Sequence, residues 1–493
     1  MDHGPPSGLG LVLVYTFLVG ISDWGILCAE GLTMGTPSAG VELYQSAVRC
    51  VLGLGGGLLA DLAWGKWRAV ALGTVAHTLF TAPLIAALGH LNSSYRLHVA
   101  YAVVNGITSF YRFTFVAFAG EQCDDPDDGS WINACFTVQY YLRNLTAVLG
   151  VLAAYRAVVV GSPRQIYWPC VASTVVAAVI LVAFRFRFVV RPPWKGRFRD
   201  LFGCPVEAYR SRKRSRNVTF WIDNAADRYP EDGPRRDVGQ LYALLPFLVL
   251  TLVFFFVRNS AEYILAGQVD RTRMVPEYEV RPFHVATLKA AVVVMLLPAV
   301  EVCVYPLAGS MGLLDSPMKR ICSGCVSLAM MYFAAGTVEC RLPPRSHPSH
   351  SSPLVSNFTS YRGILETSGK NFTSIGIDEF SGTSHYLLDF LDPTPSKILT
   401  IAFQLVFFIV GDLLHSIAFM TWVYSEGPPG LRATSVSLFY AMSPLADFFI
   451  LTLPTVGPAT PDYALFILGS LMIIVVTFYI FVQVTYKNQS VYE

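Results

Sequence analysis

Apolar residues come along this chain in long unbroken runs, not at the alternating spacing of a half-buried strand or an amphipathic surface helix. A helix that crosses a bilayer needs about 20 mostly apolar residues. Twelve stretches meet that length, at roughly 8–33, 40–61, 67–90, 98–119, 131–155 and 165–187, then 240–266, 284–308, 319–338, 396–424, 433–456 and 462–486. The second and fifth are the least apolar. A polar, basic segment separates the sixth from the seventh. The pattern predicts an all-α membrane protein of twelve transmembrane helices in two six-helix bundles. Its parts are an N-terminal bundle 1–187, a cytosolic linker 188–239, and a C-terminal bundle 240–493 with an outer loop at 340–395. Halves of this kind pack around a site near the bilayer midplane.

Composition agrees and narrows the classes. Of 493 residues 53% are hydrophobic and 14% charged, against about 25% charged in ordinary soluble domains. A soluble surface of this size would need more charge, and a disordered chain far less hydrophobicity. A net charge of +2 supplies no global field for nucleic acid. Most of the ten cysteines lie in apolar runs, and Cys322-x-x-Cys325 has no second pair or nearby His, so it reads as packing. His347 and His350 lack a third ligand, and no metal site is expected. No cleavable signal is evident before the first run. Without a nucleophile elbow, H-E-x-x-H or phosphate loop in the right context, the chain does not read as an enzyme.

Two signals orient the chain. The linker carries a dozen Arg and Lys, among them Arg191, Arg197, Arg199, Arg210, Lys213 and Arg235, which places it and both termini in the cytosol. Its densest run, 210–216, reads as a topology determinant beside anionic lipid. The sequons at Asn92, Asn357 and Asn371 then fall outside, where glycosylation occurs. Asn144, Asn217 and Asn488 also match but lie in a span or on the cytosolic side.

The stretch GLLADLAWGKWR (57–68) places Gly57, Asp61, Gly65, Lys66 and Arg68 in the G-x-x-x-D-x-x-x-G-[KR] pattern of the major facilitator superfamily. Its neighbourhood, GGGLLADLAWGKWRAVAL, resembles the proton-dependent oligopeptide transporter family, in particular its peptide/histidine branch. SFYRFTFVAFAGEQ (109–122), FTVQYYLRNLTAVLG (136–150), SAEYILAGQ (260–268) and GDLLHSIAFMTWVYSEGPPGLRA (411–433) follow in the family's order. The likeness covers residues 10–450. It implies a secondary active transporter of small peptides or amino acids such as histidine, working by alternating access, with protons as coupling ion and no other cofactor. The branch it resembles works in endosomes and lysosomes; the plasma membrane is the other location open.

The resemblance also assigns residues. Arg112 matches the basic position that holds a substrate carboxylate, and Asp412 the acid that faces the amino group. Tyr140, Asn144 and Tyr263 are candidate pocket walls. Each has a plainer reading as interhelical packing or pairing. GPPG (427–430) reads as a gating hinge. One departure is large. Where relatives carry E-x-x-E-R in the first span, this chain has Thr16, Val19 and Gly20 in the charged places. Asp23, one turn further on, Glu262 and Asp412 are the remaining proton-coupling candidates. Arg258 and Glu262, four residues apart, can pair and cancel. His415 is read as either a titrating group or a packed neutral one. The loss supports an alternative, a transporter-like scaffold or receptor that binds without transporting.

Overall fold

The computed structural model describes residues 8–34, 39–87, 94–123, 130–159, 164–194, 198–211, 221–271, 282–340, 395–452 and 462–490. The sequons at Asn92, Asn357 and Asn371 lie outside them. The first half comprises α1 (Leu9–Met34), α2 (Ala39–Leu59), α3 (Lys66–Ala87), α4 (Ser94–Glu121), α5 (Ser130–Val159) and α6 (Arg164–Ala183). The linker contains α7 (Phe198–Ser211). The second half comprises α8 (Asp232–Arg271), α9 (Pro282–Ala299), α10 (Tyr305–Ser310), α11 (Pro317–Glu339), α12 (Pro395–Glu426), α13 (Arg432–Thr452) and α14 (Asp462–Ser490). With α9 and α10 joined through a π turn at Val300–Val304, the described residues form six long helices on each side of the linker. Nine described helical segments are long and apolar enough to cross a membrane. The chain is a multi-pass membrane protein.

Two elements differ from the sequence expectation. The helix of the seventh span begins at Asp232, well before the apolar run, because DGPRRDVGQ is compatible with helix although it is not apolar. The linker is also more than a loop. Along α7, Leu201, Cys204 and Ala208 pack with Leu62, Ile222, Ala225, Val238, Leu241 and Leu431 in a small core under the bundle. Spacings of three and four residues put that stripe on one face.

Small residues set the helix packing, as expected where lipid supplies no drive for association. A Cβ on Gly56 of α2 would lie 2.2 Å from the Phe110 carbonyl oxygen of α4. One on Gly57 would lie 2.7 Å from the Ala433 carbonyl oxygen of α13. Gly56 and Gly57 therefore let α2 touch a helix of its own bundle and one of the opposite bundle at the same level. The bundles meet chiefly where α2 and α4 face α13, and where α5 faces α9 and α12.

Gly56→Val forces α2 off the α4 backbone, and overpacking of this kind costs roughly 1–3 kcal/mol. We expect a melting midpoint several degrees lower in detergent. Gly55→Ala, where no atom lies within 4 Å, leaves the midpoint unchanged.

Candidate functional site

At the pole where the linker attaches, α2 ends in a π turn, Ala60–Trp64, and Gly65 takes a φ of +82°, a conformation that favours glycine. The turn swings Asp61 and Lys66 onto a common side. Lys66 Nζ lies 3.1 Å from Asp61 Oδ1 and 2.8 Å from Glu121 Oε1 at the end of α4. The other Asp61 oxygen accepts the Thr434 backbone N–H at 2.7 Å and its hydroxyl at 2.9 Å. A carboxylate of one bundle thus caps the first turn of α13 in the other, where free N–H groups and the helix dipole favour negative charge. The Trp194 N–H donates to the Asp61 carbonyl at 2.6 Å, which ties the linker to the same turn. The rest of the G-E-Q motif finds its purpose here. Gly120 leaves room for Tyr424 of α12, and Gln122 exchanges hydrogen bonds with the Val189 backbone at 2.8 and 2.9 Å. Gly57, Asp61, Gly65 and Lys66 together form a latch that closes this pole. Arg68 is exposed beside it.

Above the latch, a cavity between the bundles is lined by Tyr15, Asp23, Trp24, Tyr111, Arg112, Tyr140, Arg143, Met420 and Tyr440, among others. By helix rise, Asp23, Arg112, Arg143 and Asp412 lie roughly 14–21 Å from the latch-end termini of their helices, near mid-membrane. Arg112 is not free. Its Nη1 is 3.4 Å from Asp23 Oδ2, and the Tyr111 hydroxyl donates to the same carboxylate at 3.5 Å. Tyr140 lines the cavity and donates to Asp412 Oδ2 at 3.1 Å. Asn144 bonds back to the Tyr140 carbonyl at 2.8 Å within its own helix and is not among the lining residues. Tyr263 is not among them either; its electrostatic neighbours are Glu42, Asp447, Glu262 and Arg49.

Two acids of the second half, Glu262 and Asp412, form a closed ring with two bases. Arg258 lies 3.1 Å from Asp412 and 3.5 Å from Glu262. Lys289 of α9 lies 3.0 Å from Glu262 and 3.4 Å from Asp412. The expected Arg258–Glu262 pairing exists, but the shorter contact of Arg258 is with Asp412, 154 positions away. Lys289 was not singled out in the sequence. Its signal was an ionisable residue inside an apolar span, which is reason enough to expect a function or a partner. Beyond the ring, Asn259 donates to Asp447 at 2.7 Å, and Asp447 reaches Arg49 of α2 at 3.8 Å. His415 is fully buried and stacks on Phe254 with centroids 3.5 Å apart.

No family model matches the chain. Among curated proteins it is similar to solute carrier family 15 member 1 of Oryctolagus cuniculus, 20% identical over 370 residues, which is 67% of this chain and 51% of the relative. It is likewise similar to solute carrier family 15 member 1 of Rattus norvegicus, 23% identical over 58% of this chain and 44% of the relative. The chain spans about half the length of the curated relatives it matches. Solved structures match over nearly the whole chain. An auto-inhibited POT family peptide transporter aligns with a TM-score of 0.60 at 14% identity, over 97% of both chains. A POT family transporter in complex with 5-aminolevulinic acid aligns at 0.59 and 14%, over 97% and 96%. The fold is that of the POT transporters, and the low identities fit the divergent relationship that the motifs indicate.

Removing one partner of a buried ion pair costs about 3–5 kcal/mol. Asp412→Ala leaves Arg258 and Lys289 sharing Glu262 alone. We expect it to lower the melting midpoint far more than Tyr140→Phe, which removes one hydroxyl from the same carboxylate.

Proposed function

We propose that this divergent relative of the POT peptide transporters is a secondary transporter that moves small peptides or amino acids, histidine among them, by alternating access. The observation that carries the reading is a cavity between the bundles, lined by charges at mid-membrane, above a latch that one bundle closes on the other. Fixed charges in such a cavity act far more strongly than in water. The neighbour whose structure holds 5-aminolevulinic acid supports a small carboxylate-bearing substrate.

Arg112 receives the substrate carboxylate, which a guanidinium binds with two parallel donors. Asp23 is the favoured proton-coupling acid. It is the one carboxylate among the cavity-lining residues, and it holds Arg112. A proton on Asp23 weakens its hold and frees Arg112 for substrate, so protonation and binding favour one another. Glu262 and Asp412 are already neutralised by Arg258 and Lys289 and move with their bundle. The missing E-x-x-E-R motif favours the second reading, a receptor that binds and does not transport.

The basic linker and both termini face the cytosol in this scheme, and the outer loops with Asn92, Asn357 and Asn371 face a lumen or the exterior of an endosomal, lysosomal or plasma membrane. The outward residues of α7, Phe198, Phe202, Val206 and Tyr209, are 48–76% exposed next to Arg199 and Arg210. That arrangement suits an interfacial helix against membrane lipid.

In proteoliposomes, an inward proton gradient is expected to drive accumulation of labelled histidine or a dipeptide. Asp23→Asn should leave uptake that no longer responds to the gradient. Binding of either ligand with no uptake under any gradient would establish the receptor reading instead.

A further inference from the structure

Resting on that transport reading, we propose that the cavity selects its substrate by a carboxylate alone: Arg143 meets it first, Arg112 joins once Asp23 releases it, and a free amino group is not required. The ligand class is a small organic carboxylate with an apolar or aromatic body, including peptides and amino acids whose amine is blocked.

The argument is a charge count over the groups facing the cavity. Its lining residues carry two guanidiniums, Arg112 and Arg143, and one carboxylate, Asp23. Asp23 is held by Arg112 and the Tyr111 hydroxyl. Among the described residues no carboxylate lies within ion-pair distance of Arg143. Its side chain is exposed to the cavity, with Tyr140, Tyr440 and the Arg112 and Arg258 guanidiniums as electrostatic neighbours; Asp23 feels its charge but pairs with Arg112. The lining thus keeps one positive charge in surplus.

An ammonium meets the opposite situation. Asp412 already accepts from Arg258, Tyr140 and Ser416 and faces Lys289. Glu262 faces both Arg258 and Lys289. Asp447 accepts from Asn259 and faces Arg49. Glu301 accepts from Thr137 and is not a lining residue. To bind an ammonium, one of these acids would have to surrender a fixed cation in a poorly hydrated space, where an unpaired charge is costly. A carboxylate displaces nothing. It meets an uncompensated guanidinium, gains charge-assisted hydrogen bonds and removes the surplus. Tyr15, Trp24, Phe115 and Tyr440 supply aromatic walls for the body of the ligand.

Three probes decide the matter on the full chain in nanodiscs: alanyl-phenylalanine, its N-acetyl form and its C-terminal amide, each titrated by ligand-induced thermal shift and by competition. The N-acetyl form is expected to bind within about threefold of the free dipeptide, and the amide to lose about 10–100-fold, the range of one charge-assisted interaction. Arg143→Gln should lose a similar factor for both acids with no fall in its own melting midpoint, and Arg143→Lys should recover part of it. Loss of binding on N-acetylation overturns the inference while the transporter reading stands. So does unaltered binding by the amide. Should no probe bind, the inference fails, and gradient-driven uptake of labelled histidine separately decides the transport reading. If Arg143→Gln does not fold, the wild-type ligand series decides alone.

Discussion

A charge placed inside a bilayer-spanning bundle must find its counter-charge within the protein, since lipid supplies none. Even on permissive insertion scales each such residue costs about 2.5–3.5 kcal/mol at a helix centre. The structure answers this demand in pairs and rings: Lys66 between two carboxylates, Arg258 and Lys289 alternating with Glu262 and Asp412. Because each group draws its members from more than one helix, electrostatic satisfaction and helix assembly become one requirement. Within the second half the ring ties α8, α9 and α12 together. Asp23 and Arg112 do the same for α1 and α4, with a longer contact of 3.4 Å.

Polar contacts between the halves of the described residues are unevenly placed, Thr137–Glu301 joining α5 to the turn after α9. Asp61–Thr434 and Arg49–Asp447 both join α2 to α13, at two heights along the same helix pair. Tyr140–Asp412 joins α5 to α12 at mid-membrane. Gly57 brings the α2 backbone against α13 over the lower part of that seam. The two halves therefore share a long line of contact along α2 and α13. His415 lies apart from that seam in the aromatic core of the second half. Stacked on Phe254 and parallel to Phe419, it serves as one more aromatic plate in the core.

Much of this was legible before any coordinates. Uninterrupted apolar runs located the long helices, because membrane burial leaves a signature in length alone. The Asp61 and Lys66 motif located the latch, because a glycine that breaks a helix between opposite charges has few other uses. Pairing partners were much harder to read. Spacing shows that Arg258 and Glu262 can touch, yet the nearer acid belongs to a helix 154 positions away, and no periodicity carries that information. Lys289 was visible as an anomaly but had no assignable role until Glu262 and Asp412 stood beside it. Arg143 resembled nothing in the family pattern, and only the structure shows that Asp23 pairs with Arg112 and not with it. The linker misled in the other direction. Its high charge hid a short apolar stripe, Leu201, Cys204 and Ala208, that folds α7 against the bundle.

The turn between α2 and α3 has a further implication. Asp61 and Lys66 are five residues apart, and in a regular helix that spacing points side chains to different faces. They meet because one wide π turn and one left-handed glycine rotate the second helix relative to the first. What this segment stores is an angle, set by how many residues it contains. Inserting or deleting a single residue would turn α3 by about 100° about its axis, parting Lys66 from Asp61 and Glu121 with every side chain retained. The count of residues from Ala60 to Gly65 is thus as much a component of the gate as the charges it carries.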